Sequence, residues 1–325
     1  MGAAVIAAVF FTVFFGAAKI TDSKELVKRA DYKGIITVWQ IDTFEGGTGS
    51  RRQFLSNRAK EFSKNNQGVL FMITTHTKES AEENFRQGIF PDLLSFGGGV
   101  LVSSAAELSA NLFFKGGAIG GNVYATPWCR GGYALIKHRK FSELSAEKEK
   151  KISSLIVSQS DYTMPLMAAF CGGYEIEKYE IYSPVQAYNN FLLGKVPYLL
   201  GTQRDIARLK ARGENFTYTP VEGFCDLYQY VAITGENALK AETAAKFIDY
   251  LLSGKCQGAL DGIFMLPVKS GVKVEEEIEP LYNAEIFSTV SVFLSGAEIS
   301  GVNENLYEYY KGNTSLYTKI KNVVI

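Results

Sequence analysis

Histidine and cysteine are scarce in this sequence, which limits the chemistry that it can carry. Among 325 residues there are two histidines and four cysteines, and no two cysteines form a Cys-x-x-Cys pair. The ligand spacing typical of zinc fingers and of thiol redox enzymes is therefore missing, and we expect no metal and no cofactor. The cysteines could form disulfides outside the cytoplasm, or they could be buried free thiols. These are Cys129, Cys171, Cys225 and Cys256.

An excess of charge of either sign is also missing. Lys plus Arg and Asp plus Glu each number 34, so the formal net charge is zero. Proteins that bind nucleic acid use a basic surplus to neutralise phosphates, so nucleic acid is not an expected partner. The Gly-x-Ser-x-Gly, His-Glu-x-x-His and Walker motifs are absent as well. The sequence therefore favours a protein that binds its ligand without transforming it.

Long apolar runs are missing except at the N-terminus. Residues 1–18 contain no charged side chain, and Gly16-Ala17-Ala18 has the small residues of a cleavage site before Lys19. We interpret residues 1–20 as a signal peptide or as a signal anchor that stays in the membrane, with a buried core helix as the third alternative. The first two interpretations place the remaining chain outside the cytoplasm, in the periplasm or at the outer face of the cell membrane.

The rest of the composition is that of a folded soluble protein. Hydrophobic residues make up 46% and charged residues 21% of the chain. A chain of 325 residues is longer than the size at which a single core stops growing, so we expect two lobes.

Apolar patterns of strand and helix type alternate along the chain, which indicates an α/β protein with a parallel sheet covered by helices. Residues 140–215 are predicted to be mainly helical. The predicted strands are 35–41, 69–75, 91–95, 133–137 and 224–233. The clearest predicted helices are 80–87, 183–193, 202–212 and 238–252, together with an amphipathic helix around 54–62 and short helices in 303–325.

Several segments, in order, resemble the extracellular solute-binding proteins of ABC importers, specifically the sugar-binding family with the maltose-binding-protein type of fold. The stretch between Phe141 and Ser183 is shorter than is usual in that family. The matching segments are Ile-Thr-Val-Trp at 36–39, Gly-Ile-Phe-Pro-Asp-Leu at 88–93, Gly-Asn-Val-Tyr-Ala-Thr-Pro at 121–127, Phe-Leu-Leu-Gly-Lys-Val-Pro-Tyr at 191–198, the helix at 241–252 and Leu-Pro-Val at 266–268.

The resemblance implies a two-lobed periplasmic-binding-protein type II fold with a ligand cleft between the lobes. Lobe one would comprise 34–126 plus 223–268, and lobe two 128–220 plus 275–325. Such a receptor captures a small polar solute by closing its lobes around it. The solute is expected to be a carbohydrate, with a peptide, a polyamine or an anionic solute as the alternatives. The receptor then delivers the solute to the transmembrane subunits of an ABC permease. A monomer without enzyme activity is expected.

Candidate ligand-binding residues follow the first predicted strand, because ligands of such sheets bind at the carboxyl ends of strands. Trp39 ends the strand and could stack on a sugar ring or pack in the core. Asp42 and Glu45 could accept hydrogen bonds from hydroxyl groups, or could form a turn or a helix cap.

The end of the third predicted strand supplies three further candidates, Ser95, Phe96 and Gly97. Small residues there would let a ligand approach the backbone, and plain turn formation is the alternative.

Four candidates lie farther along the chain, at Trp128, Arg130, Gln203 and Asp226. Arg130 could hold a carboxylate or a pair of neighbouring hydroxyl groups through its guanidinium group, with a plain surface charge as the alternative.

Two other functions remain open from the sequence alone. A secreted carbohydrate-active hydrolase would need a pair of carboxylates, which a sequence cannot exclude. A membrane-anchored solute sensor would retain the N-terminal apolar segment.

Overall fold

The computed structural model describes residues 32–102, 104–108, 115–143 and 150–325. The interpretation of residues 1–20 as a signal peptide or anchor falls outside these described residues. Within them, no helix is long and apolar enough to cross a membrane.

The described part of the chain alternates strands and helices, as its apolar pattern predicts. The strands are β1 (Gly34–Ile41), β2 (Val69–His76), β3 (Leu93–Phe96), β4 (Ala118–Ile119), β5 (Asn122–Val123), β6 (Thr126–Arg130), β7 (Tyr133–His138), β8 (Lys151–Ile152), β9 (Leu155–Ser158), β10 (Glu175–Ile176), β11 (Tyr179–Tyr182), β12 (Tyr198–Thr202), β13 (Phe216–Pro220), β14 (Gly223–Phe224), β15 (Tyr228–Ile233) and β16 (Ile286–Ser288). The α-helices are α1 (Arg51–Asn65), α2 (Lys78–Arg86), α3 (Pro165–Cys171), α4 (Pro184–Leu192), α5 (Gln203–Arg212), α6 (Ala238–Leu251), α7 (Gly254–Gly258), α8 (Glu279–Asn283), α9 (Gly296–Tyr310) and α10 (Tyr317–Lys321).

A first sheet has the strand order β2-β1-β3-β15-β6 in the described residues. β1 pairs in parallel with β2 and with β3, whereas β15 is antiparallel to both β3 and β6. Helices α1 and α6 cover one face, where Phe247 packs 4.5 Å from Phe71 and 5.4 Å from Phe62 between ring centres. The carboxyl ends of β1, β2 and β3 therefore meet at the same edge of this sheet.

A second sheet repeats this arrangement with the order β11-β9-β12-β7-β13. β11, β9 and β12 are parallel, and β7 is antiparallel to β12 and to β13. Helices α4 and α5 pack against it over an apolar core, whose buried members include Ile136, Ile156, Phe191, Leu199, Ile206 and Leu209. Two sheets with separate helical layers confirm the two-lobed α/β fold.

The chain passes between the sheets several times. It leaves the first sheet after β6 through Gly131 and Gly132, and it returns between β13 and β15. Beyond β15, a backbone bridge pairs Leu266 with Arg130, and Leu281 then belongs to the core of the second sheet. Residues 33–325 form one compact unit that contains both sheets.

The prediction of a mainly helical region over 140–215 is wrong. The second sheet takes β9, β11 and β12 from this region, each only four or five residues long. Short buried strands such as Leu-Ile-Val-Ser in β9 lack a periodic pattern that separates strand from helix. The predicted helices at 183–193 and 202–212 are confirmed, with α4 and α5 starting within two residues of the expected positions.

Candidate functional site

Loops from the two sheets face each other across a narrow gap, which we call the cleft. Phe44 and Glu45 follow β1 on the first sheet, whereas Ser158 and Thr202 end β9 and β12 on the second. The remaining lining residues are Tyr133, Ser160, Thr163, Pro184 and Leu227. The cleft thus joins the carboxyl ends of parallel strands from both sheets, where α/β proteins bind their ligands.

Between its described lining residues, the cleft is narrow in this structure. The space open to the centre of a water molecule is about 10 Å³, which is room for roughly one water. A sugar ring is several times larger than water, so it can enter only after the two sides move apart.

Arg51 fixes the loop that carries Phe44 and Glu45. It is buried at the start of α1, its Nε lies 2.8 Å from Asp42 Oδ1, and its Nη2 donates to Phe44 O at 2.6 Å. Its guanidinium carbon also lies 4.2 Å from the centre of the Phe44 ring. Asp42 therefore orients the loop through Arg51.

An ion pair joins the two sides of the cleft at one end. Arg208 of α5 donates to both carboxylate oxygens of Glu45, at 2.9 Å and 2.7 Å. Arg204, one turn earlier in α5, donates to the carbonyl oxygen of Gly47. Gly47 has no room for a side chain, because an added Cβ would lie 1.9 Å from Ile263 O. Two arginines of one helix thus hold the loop after β1.

Asp205 lies directly behind this ion pair. It is fully buried at the start of α5, where its Oδ2 accepts a hydrogen bond from Thr202 N at 2.9 Å and completes a capping box. Its Oδ1 lies 3.7 Å from Arg208 Nη1. Burial raises the pKa of Asp205 to about 6, although the Thr202 hydrogen bond acts in the opposite direction.

A tyrosine after β9 contacts residues of the first sheet and its helix α2 at a second place. Tyr162, in the loop after β9, fits against Gly99, which follows β3 and has a φ of +89°. An added Cβ on Gly99 would lie 2.6 Å from the tyrosine ring, so this contact requires glycine. The Tyr162 hydroxyl donates to Glu79 Oε1 at 3.4 Å, and Lys78 Nζ lies 5.5 Å from the ring centre.

Asp226 connects the segment before β15 to the second sheet. Its Oδ1 accepts a hydrogen bond from the Tyr133 hydroxyl at 2.7 Å, and its Oδ2 accepts one from Met164 N at 2.8 Å. Burial raises the pKa of Asp226 to about 6 despite these two hydrogen bonds. Asp226 also lines a second small cavity together with Tyr162 and Tyr230.

Three of the predicted site residues therefore lie at or beside the cleft. Glu45 lines it, and Asp226 accepts a hydrogen bond from Tyr133, which also lines it. Gln203 is fully buried next to it, where Oε1 accepts from Gly132 N at 3.0 Å at the passage between the sheets.

The other predicted residues lie inside the first sheet or beside it. Trp39 stacks on His76 with ring centres 4.2 Å apart and on Phe85 of α2 at 5.7 Å. Phe96 is fully buried near Tyr230 and Phe293.

Ser95 and Trp128 belong to one buried hydrogen-bond cluster. Trp128 Nε1 donates to Ser95 Oγ at 3.0 Å, and Gln229 Nε2 donates to the same oxygen at 3.1 Å. Both Ser95 and Trp128 have no exposed surface. Gly97 contacts the β1 loop so closely that an added Cβ would lie 2.1 Å from Thr43 Oγ1.

Arg130 is buried and turned toward backbone oxygens. Its Nη2 donates to Tyr282 O at 2.8 Å and to Leu281 O at 3.3 Å, and its Nη1 to Gly131 O at 3.3 Å. These contacts tie β6 to α8 beside the passage between the sheets.

Most residues that line the cleft were missed by sequence reasoning. Ser158 ends a strand that the sequence did not reveal, and Ser160 and Thr163 follow that strand. Tyr133 and Thr202 were assigned only to secondary structure. The signal that could have found them is the Ser-Gln-Ser-Asp-Tyr-Thr run at 158–163, which follows a buried apolar run and precedes a proline.

A wider groove lies on the surface around α7. It measures about 520 Å³ and is lined by glycines together with Asp261, Lys269 and Lys273. Its residues come from one stretch, 254–273, so it does not join the two sheets. Across the described residues, no group of three His, Cys, Asp or Glu side chains has the arrangement to hold a metal ion.

Comparison with known proteins gives matches at the level of structure. No protein-family model matches the sequence, and no curated protein matches it. Solved structures do match over most of the chain. The sugar-binding protein MalE from Xanthomonas citri is 12% identical, with a TM-score of 0.61 over 89% of this chain and 95% of that one. The maltodextrin-binding protein MalE1 from L. casei BL23 is 13% identical, with a TM-score of 0.59 over 90% and 99%.

The chain has the type II periplasmic-binding-protein fold. Iron-bound HitA from Pseudomonas aeruginosa shares this fold as well, at 14% identity and a TM-score of 0.53 over 84% of this chain. Proteins with this fold therefore bind ligands of different chemistry, and the ligand has to be argued from the cleft itself.

Proposed function

We propose that this chain is the substrate-binding component of an ABC importer, which captures a carbohydrate between its two lobes and delivers it to a membrane permease. The cleft is the observation that carries this proposal, because its lining comes from strand ends of both sheets. Lobe one would comprise 34–126 plus 223–268 and lobe two 128–220 plus 275–325. A ligand that contacts both lobes stabilises the closed arrangement over the open one.

The side chains of the cleft favour a ligand rich in hydroxyl groups. Ser158 and Ser160 bring hydroxyl groups that both donate and accept hydrogen bonds, whereas the hydroxyl groups of Thr163 and Thr202 already bond to Ser160 and to Arg204 N. Glu45 adds a carboxylate acceptor, and the rings of Phe44 and Tyr133 offer apolar surface for the face of a sugar ring. Solved relatives in fold bind sugars, among them one complexed with maltotetraose and one with acarbose.

In this proposal the chain binds its solute and does not catalyse a reaction on it. The Glu45 carboxylate is paired with Arg208, and Asp205 is buried as a helix cap, so neither is placed as a free acid or base. The chain would act outside the cytoplasm, where a binding component meets its solute before the permease does.

A thermal-shift screen of the full chain tests the proposal. The probes are maltotetraose, acarbose, a cyclodextrin, a chitin oligosaccharide, a mixture of amino acids, inorganic phosphate and ferric iron. At a hundred times its dissociation constant, a ligand adds about 2.7 kcal/mol to the stability of the native state. We expect a saccharide to raise the melting temperature and to be recovered unchanged by chromatography. A rise with amino acids, phosphate or iron alone would contradict the carbohydrate assignment, and cleaved saccharide would contradict binding without catalysis.

A further inference from the structure

We propose that Glu45 and Arg208 form a latch that holds the two lobes together before any solute is bound. The latch joins the loop after β1 to helix α5, and these elements belong to different sheets. Its existence depends on the two-lobed fold, and only its effect on solute affinity rests on the proposed function.

The geometry of the pair is suited to this task. Arg208 uses two nitrogens for the two oxygens of Glu45, at 2.9 Å and 2.7 Å, which is the strong bidentate form of an arginine–carboxylate pair. Their side chains are 22% and 28% exposed, so water screens the pair less than it screens a fully exposed one. The pair is therefore able to stabilise one arrangement of the lobes.

Neighbouring contacts hold both partners of the latch in position. On the α5 side, Arg204 donates to Gly47 O, which ties the backbone of the same loop to the same helix. On the loop side, Arg51 donates to Phe44 O, next to Glu45 in the chain. These contacts hold the loop that carries Glu45, and Asp205 Oδ1 lies 3.7 Å from Arg208 Nη1 on the other side.

The latched arrangement excludes a solute of the size of a sugar. The cleft beside Glu45 leaves room for roughly one water, about 10 Å³ for its centre. A solute can bind only to molecules in which the latch has opened. Its apparent dissociation constant is then the intrinsic constant divided by the open fraction, so the latch lowers the affinity for the solute.

The test measures the distance between the lobes in the full chain without any saccharide. Nitroxide labels are attached at Gln53→Cys in α1 and Ala211→Cys in α5, two exposed positions on either side of the latch. Cys171 is replaced by serine, because the other three native cysteines are buried. Electron spin resonance then reports the distribution of distances between the labels.

Wild type is expected to give one short distance at low ionic strength. Glu45→Gln and Arg208→Gln should each shift most molecules to a longer distance, and the double variant should shift them no further, because all three remove the same interaction. Raising the ionic strength from about 0.02 M to about 0.5 M shortens the Debye length from roughly 20 Å to roughly 4 Å, and should lengthen the distance in wild type but not in Glu45→Gln.

Glu242→Gln is the matched control. Glu242 pairs with Lys246 within α6, an exposed pair that does not cross the cleft, so its loss should keep the wild-type distance. Arg208→Gln serves as the second variant if Glu45→Gln does not fold. The latch is overturned if wild type is already open at low ionic strength, or if Glu45→Gln and Glu242→Gln give the same distances. Failure of saccharides to bind would leave these distances unchanged, so the two proposals fail separately.

Discussion

At the scale of single residues, Asp226 shows how position in the fold changes the chemistry of a side chain. Its two oxygens accept hydrogen bonds from Tyr133 and Met164, yet burial raises its pKa to about 6. Because this pKa lies above that of the unfolded chain, the folded state holds the proton more tightly. The contribution of Asp226 to stability is therefore fully present below about pH 4 and is lost as the pH rises through about 6.

Asp226→Asn tests this sign. The amide keeps the shape of the side chain, and the Tyr133 hydroxyl can turn to accept from it. Asp226→Asn removes this titration, so the variant should become more stable relative to wild type as the pH rises from 4 to 7. The free energy of unfolding, measured with urea at each pH, reports the difference, on the order of 2–3 kcal/mol at pH 7.

The control is Asp249→Asn, which changes an exposed carboxylate on α6. It should retain the pH dependence of wild type. Equal pH dependence in the Asp226 and Asp249 variants would show that the position of Asp226 does not control its protonation.

Ser95 and Ser158 separate a structural role from a binding role. Ser95→Ala leaves Trp128 Nε1 and Gln229 Nε2 without their common acceptor inside the sheet, which costs about 1–3 kcal/mol of stability.

Ser158→Ala removes a hydroxyl that lines the cleft and should weaken saccharide binding by roughly tenfold, the equivalent of one hydrogen bond. Unfolding curves and calorimetric titrations measure both. The assignment of roles is wrong if Ser95→Ala weakens binding in a chain of unchanged stability.

At the scale of elements, helix caps set where helices begin, both beside the cleft and away from it. Thr202 and Asp205 form the capping box of α5, and Ser295 and Glu298 form that of α9. In α5 the cap also aims two arginines at the opposite loop, so a local rule of helix formation positions part of the site.

Ser295→Ala measures the value of such a cap away from the cleft. The hydroxyl accepts from Glu298 N, and its loss should lower the free energy of unfolding by about 1 kcal/mol. Ser300→Ala, at an exposed position inside α9, is the matched control and should stabilise slightly, because alanine is the better helix former. Equal effects of the two substitutions in urea unfolding would mean that the cap contributes nothing.

At the scale of the whole molecule, sequence reasoning was most successful where patterns are long. The alternation of strands and helices in the first sheet, the helices α4, α5 and α6, and the two-lobed fold are confirmed. It failed for β9, β11 and β12, because strands of four or five residues are too short to show a period. The residues that line the cleft could not be predicted for the same reason. Ser158 and Ser160 lie near Glu45 only because the short strand β9 pairs into the second sheet.

Site residues were harder to predict than the fold. Ser95, Trp128 and Arg130 have the chemistry of ligand contacts, but their polar atoms are used inside the protein. A sequence shows that a residue follows a strand, and it does not show to which face of the sheet the side chain points.

The most direct test of the cleft as the binding site is amide hydrogen exchange in the full chain with and without the saccharide chosen by the thermal screen. We expect slower exchange in loops from both sheets at once, in residues 42–48 after β1 and in residues 158–163 and 202–204 after β9 and β12. Protection confined to one sheet, or found at the groove of residues 254–273 instead, would contradict binding between the lobes.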